Sequence, residues 1–170
     1  MTAPTSVSLK DLLFADLEAE LAATRKTLER FPDEHAAWKP HQKSSSLQDL
    51  ARHVAELPAF ASVMLTTDTY DVANVRREKA PVSTAADLLA MFDRTAGTLR
   101  EAVAAVTDEQ LGQTWAFTAG AHTVVSGPRA VMLRRMGLTH LAHHRAQLGV
   151  YYRLLDVPVP GLFGPSADER

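Results

Sequence analysis

The chain of 170 residues has no cysteine. That excludes disulfides, thiolate metal sites and a cysteine nucleophile carried by the protein itself, so any sulfur chemistry has to arrive with a substrate. A basic excess is missing too: the formal net charge is −2, with acidic and basic residues mixed along the chain, which argues against a nucleic-acid footprint. No apolar run approaches the roughly 18 residues of a membrane span, and the N-terminal Met-Thr-Ala-Pro-Thr-Ser has neither a charged region nor an apolar core behind it. The default expectation is therefore a cytoplasmic protein with neither a membrane nor a nucleic acid as partner. Aromatic residues are only 6%, against 46% hydrophobic and 22% charged, the balance of an Ala- and Leu-rich helical protein. The length suits one domain over 1–170.

The hydrophobic periodicity predicts four long helices. Residues 8 to 31 place Leu9, Leu13, Leu17, Leu21, Thr24, Leu28 and Phe31 on one stripe. A second helix over about 46 to 66 starts at a Ser45 or Ser46 cap and carries Leu47, Leu50, Val54, Leu57, Ala61 and Met64, with Pro58 expected to kink it without ending it. Thr67 to Pro81 reads as a long exposed crossover containing Arg76, Arg77, Glu78 and Lys79. A third helix, capped by Ser83 or Thr84, runs to about Val106, and Thr107 with Gln110 caps a short extra turn. Residues 113 to 126, with Trp115, Phe117 and Thr123 to Val125 around Ala119-Gly120, predict a β-hairpin or flap. The last helix starts at Gly127-Pro128 and reaches about Leu155, and a Pro- and Gly-rich tail packs back through Val159, Leu162 and Phe163.

The chemistry concentrates in His140-Leu-Ala-His143-His144-Arg145-Ala146-Gln147. The stripe of the last helix, Leu133, Met136 and Gly137, His140, His144, Leu148, Tyr151, Leu155, puts two imidazoles where the period calls for leucine. Positions four apart lie about 40° apart around the helix and one turn along it, so two histidines so spaced can converge on one ion. His143 falls about 60° to the other side of His140 and is expected to point away. His53 flanks the stripe of the second helix and can project toward another helix. Glu56 and Asp49 lie on the same side, where a carboxylate serves as an acceptor behind a ligand, a general base, or a solvated charge. Arg145 reads as a contact to an anionic substrate or neighbour, or as an ion-paired helix residue. Gln147, one turn past His144, can hold a ligand in its tautomer or pack at an interface. His41 and His122 read as surface loop residues.

Four long helices with one histidine on the second and an HxxxH on the fourth resemble the DinB-like, or YfiT-like, family of four-helix-bundle metalloproteins. The matching segments are Trp38-Lys-Pro-His41, Ser46 to His53, His140 to Gln147 and Val157 to Ser166. One departure is visible: Ala146 stands where the family's run has glycine. The resemblance implies an all-α, up-down-down-up bundle that dimerises, with His53, His140 and His144 as metal ligands. Three imidazoles with no fourth protein ligand leave positions for water and substrate. Imidazole suits zinc and nickel, and also iron and copper. A carboxylate-bridged diiron site is not expected, because the Glu-x-x-His pairs it needs are missing. The activity implied first is a metal-dependent transferase using a low-molecular-weight thiol. Its alternatives are a hydrolase acting through metal-bound water with Glu56 as base, and a non-catalytic dimeric bundle whose histidines are structural.

Overall fold

The computed structural model describes residues 6–75 and 82–169. The chain is mostly helical, and beside its helices lies a three-stranded sheet, where the sequence predicted an all-α fold with at most a hairpin or flap. The helices are α1 (Leu9–Leu13), α2 (Leu17–Leu28), α3 (Leu47–Thr66), α4 (Ala85–Ala105), α5 (Asp108–Gly112), α6 (Arg129–Leu133) and α7 (Thr139–Leu154). The strands are β1 (Thr69–Asp71), β2 (Thr114–Ala119) and β3 (His122–Pro128). Helix α3 packs against both α4 and α7, and α2 packs against the same two. Leu21, Leu28, Leu47, Met64, Leu88, Phe92, Leu99, Leu148 and Tyr152 fill the space between them.

Helix starts follow from side chains that take up backbone N–H groups left over at the first turn. Ser46 Oγ accepts from Asp49 N at 3.2 Å, and Thr84 Oγ1 accepts from Asp87 N at 3.2 Å. Thr107 and Gln110 make both bonds of a capping box. Helix α3 continues through Pro58, which has no N–H to return to the Val54 carbonyl. The buried Thr95 hydroxyl of α4 donates to the adjacent Ala55 carbonyl at 2.7 Å, so the weakened turn is tied to its neighbour.

The predicted first helix is broken in two. The Leu9 and Lys10 N–H groups donate to the Asp108 carboxylate at 3.0 and 2.9 Å, and Lys10 Nζ reaches the Ala104 carbonyl at 2.8 Å. These anchors hold α1 against the end of α4, while α2 lies along α4 and α7.

The predicted hairpin is present as β2 and β3, joined through Gly120 at φ +58, a conformation that suits glycine at a tight turn. Part of the predicted exposed crossover is instead β1, parallel to β2 with Tyr70 opposite Phe117. Arg76, Arg77, Glu78 and Lys79 lie outside the described residues. Buried Arg129 fastens the sheet end to the helices: its guanidinium donates to the Met64 carbonyl at 2.8 Å and the Gln110 carbonyl at 3.1 Å, contacts the Thr67 carbonyl, and pairs with Asp68 at 2.8 Å.

The predicted fourth helix is interrupted. Arg134–Leu138 form a π-helical turn between α6 and α7, with the Thr139 N–H donating to the Arg134 carbonyl. A π-turn takes one residue more than an α-turn, which sets the phase of everything after it back by roughly 100°. The buried residues accordingly run Leu133, Gly137, Leu141, Arg145, Leu148, Tyr152, in place of the stripe through His140, His144 and Tyr151. Gly137 marks the close approach of the π-turn to α3, since a Cβ there would stand 3.3 Å from Ala61 Cβ and 3.2 Å from Leu133 Cδ1. Gly137→Val is expected to cost about 1–3 kcal/mol by overpacking, read from urea unfolding; a cost under about 0.5 kcal/mol would mean that the approach is not tight.

The tail is irregular and Val159 packs on the core as expected, but Phe163 is 86% exposed. Charge holds the tail: Asp168 pairs with Arg153, and Glu169 with Lys26 and Arg30.

Candidate metal centre

His53 leaves α3 on the side that faces α7, and His140 and His144 leave α7 one turn apart. All three rings are half-buried, at the edge of the core and not inside it. That position follows from the π-turn, which moves Leu141 and Arg145 into the core and leaves the two histidines on its flank. His53 Nε2 lies 3.4 Å from His140 Nε2, and His140 Nε2 lies 2.8 Å from His144 Nε2.

The tautomers are set from behind. The Met136 carbonyl, inside the π-turn, can only accept, so His140 donates to it through Nδ1–H at 3.2 Å. His144 donates through Nδ1–H to Gln147 Oε1 at 2.7 Å. A neutral imidazole has one N–H, so in both rings the Nε2 lone pair is turned toward the shared point. Two lone pairs facing each other at 2.8 Å repel unless a positive centre lies between them. For metal–nitrogen bonds of about 2.0–2.1 Å, neighbouring ligand atoms stand roughly 2.9 Å apart at right angles and roughly 3.4 Å apart in a tetrahedron. These two separations fit one first-row ion, and the ligand atoms of all three histidines lie within 4.8 Å of one another.

Burial lowers the His144 pKa below its ordinary value, with His140 and His143 adding to the effect against the opposing hydrogen bond to Gln147. The ring is thereby kept in the neutral form that ligates. Gln147→Leu removes the acceptor behind His144 and is expected to weaken zinc binding about 10–100-fold by competition titration, while Gln147→Glu retains it. Unchanged affinity in the leucine variant would show that the hydrogen bond does not orient the ring.

A cavity of about 920 Å³ lies beside the triad and is lined by His53 and His140. Glu56 lines it one turn along α3 from His53, and His143, expected to point away, lines it with its ring 4.8 Å from that of His144. Asp49 is exposed and bonded to Ser46 at 2.6 Å, so it serves the cap. Arg145 is buried: it pairs with Glu20 at 2.8 Å and donates to the Glu20 carbonyl at 3.0 Å and Thr24 Oγ1 at 3.2 Å. It therefore joins α7 to α2 and does not face the cavity. His41, whose Nδ1 accepts from the Lys43 N–H, and His122 are both exposed. The aromatic wall of the cavity, Phe60, Tyr70 and Phe117, was not foreseen. Its signal on α3 is a second apolar line, Phe60 and Val63, continuing from His53 and Glu56 beside the core stripe.

The family model of the DinB superfamily matches residues 16–148, which include all three histidines. The chain belongs to the DinB superfamily. The fold is similar to that of a DinB-like protein from Bacillus subtilis, with a TM-score of 0.69 and 18% identity over 91% of this chain and 99% of that one. A DinB-like protein from Bacillus cereus gives a TM-score of 0.68 and 19% identity over 89% and 95% of the two chains. A search of the curated proteins finds no match. No helix among the described residues is long and apolar enough to cross a membrane.

Proposed function

We propose that this DinB superfamily member is a metal-dependent enzyme that transfers a low-molecular-weight thiol to an electrophilic small molecule. The observation that carries the proposal is the convergence of three imidazole nitrogens beside a large cavity that His53 and His140 line. His53, His140 and His144 hold the divalent ion, zinc or nickel foremost, with iron and copper also suited to three imidazoles. When bound, such an ion lowers the pKa of a thiol and presents it as a thiolate. The Met136 carbonyl and Gln147 fix the directions of His140 and His144, and the cavity lining is mostly apolar. The chain has no cysteine, so the sulfur comes with the cosubstrate.

Glu56 favours a second reading, hydrolysis, because its carboxylate lines the same cavity and is placed to accept a proton from water. Assaying the zinc- and nickel-loaded protein for conjugation of several small thiols to electrophiles tests the choice. Thiol-dependent product, lost in His144→Ala, supports transfer. Turnover with water alone, lost in Glu56→Gln, supports hydrolysis and overturns it. We extend the same reading to an up-down-down-up bundle of α2, α3, α4 and α7 and to a homodimer, which sedimentation measurements test.

A further inference from the structure

The walls of the cavity describe its occupant. Phe60 of α3 meets Tyr70 of β1 edge to face at 5.1 Å, and Tyr70 lies against Phe117 of β2 with centroids 5.7 Å apart and planes 16° apart. Three elements thus bring rings to one wall, a surface that takes up the flat face of another apolar group. A volume of about 920 Å³ accommodates a drug-sized molecule and exceeds what a small hydrophilic substrate fills. Among the described residues, the acidic and basic side chains on the lining besides its histidines are Arg135, carried by the π-turn, and Glu56. Arg135 has no ion pair among the described residues. The Arg135 guanidinium supplies a positive charge on this lining that an anion can meet.

We propose that the cavity selects a flat, apolar organic anion, its ring system against Phe60, Tyr70 and Phe117 and its carboxylate or sulfonate paired with Arg135. The guanidinium fork supplies two parallel donors to such a group. The proposal rests on the reading of this cavity as the substrate side of the histidine triad, and it names the class of electrophile that side receives.

The test uses the full chain freed of metal by chelation, titrated with the fluorescent anion 1-anilinonaphthalene-8-sulfonate and with N-phenyl-1-naphthylamine, which has the same rings and no sulfonate. The wild type is expected to bind one sulfonate dye per chain. Arg135→Gln weakens that dye about tenfold, the loss of one charge-assisted pair, and changes the neutral dye less than about twofold. Ala59→Trp, which enlarges a small lining residue into a ring and leaves Phe60, Tyr70, Phe117 and Arg135 in place, weakens both dyes at least about tenfold, with melting curves checking that the variants are folded. Equal affinity of the sulfonate dye for wild type and Arg135→Gln overturns the anion assignment, and undiminished binding of both dyes to Ala59→Trp overturns the cavity as the site. Metal content reports on the triad and dye binding on the cavity, so failure of one reading is distinguishable from failure of the other.

Discussion

His140→Ala is expected to reduce bound divalent metal from about one ion per chain to below about a tenth, measured by elemental analysis of protein purified without an affinity tag. His140 is the middle member of the triad: its Nε2 lies within 3.4 Å of His53 Nε2 and 2.8 Å of His144 Nε2. Removing it leaves two imidazoles too few to hold an ion against buffer and chelator. The same substitution uncouples stability from metal. A ligand that binds only the folded chain stabilises it by about 4 kcal/mol at a thousand times its dissociation constant. Zinc should therefore raise the melting temperature of the wild type and a chelator should lower it, with neither acting on His140→Ala. His41→Ala, which alters an exposed loop histidine, should behave as the wild type. Full metal content in His140→Ala, or a wild type that melts identically with zinc and with chelator, would remove the metal centre and leave the histidines structural.

Arg145→Met is expected to lower stability by about 3–5 kcal/mol while metal content is retained. The guanidinium is buried between α7 and α2, with Glu20 and Thr24 around it, and methionine leaves the Glu20 carboxylate without its partner. For a domain of this size each kcal/mol moves the melting temperature about 2–4 °C, so a fall of roughly 10 °C is expected by calorimetry. Glu20→Gln combined with Arg145→Met should recover part of the loss, because a neutral amide costs less to leave unpaired than a carboxylate. An unchanged melting temperature with loss of substrate binding would instead mark Arg145 as a substrate contact.

Much of this arrangement was legible in local sequence. The caps at Ser46, Thr84 and Thr107 satisfy N–H groups three residues away, and the hairpin around Gly120 needs a residue that tolerates positive φ. Such signals act within a few residues, so the chain order reveals them. Spacing singled out His140 and His144, one turn apart, whereas the addition of His53 came from the family resemblance, because nothing local to the second helix says which other helix its ring meets. Tyr70 as a wall of the cavity was not legible, because β1 is only three residues long and exists through its parallel pairing with β2, whose partner residues lie 47 positions away.

The sequence alone determined which residue types can meet a metal, where most helices begin, and that sulfur has to come from outside the chain. The tertiary structure decided how the last helix is turned. Helical periodicity assumes a constant advance per residue, and the π-turn at Arg134–Leu138 breaks that assumption where Gly137 closes on Ala61. One extra residue in one turn exchanged His140 for Leu141 and His144 for Arg145 on the buried face. His140 and His144 were thereby placed half-buried at the edge of the core beside His53, with His140 lining the cavity.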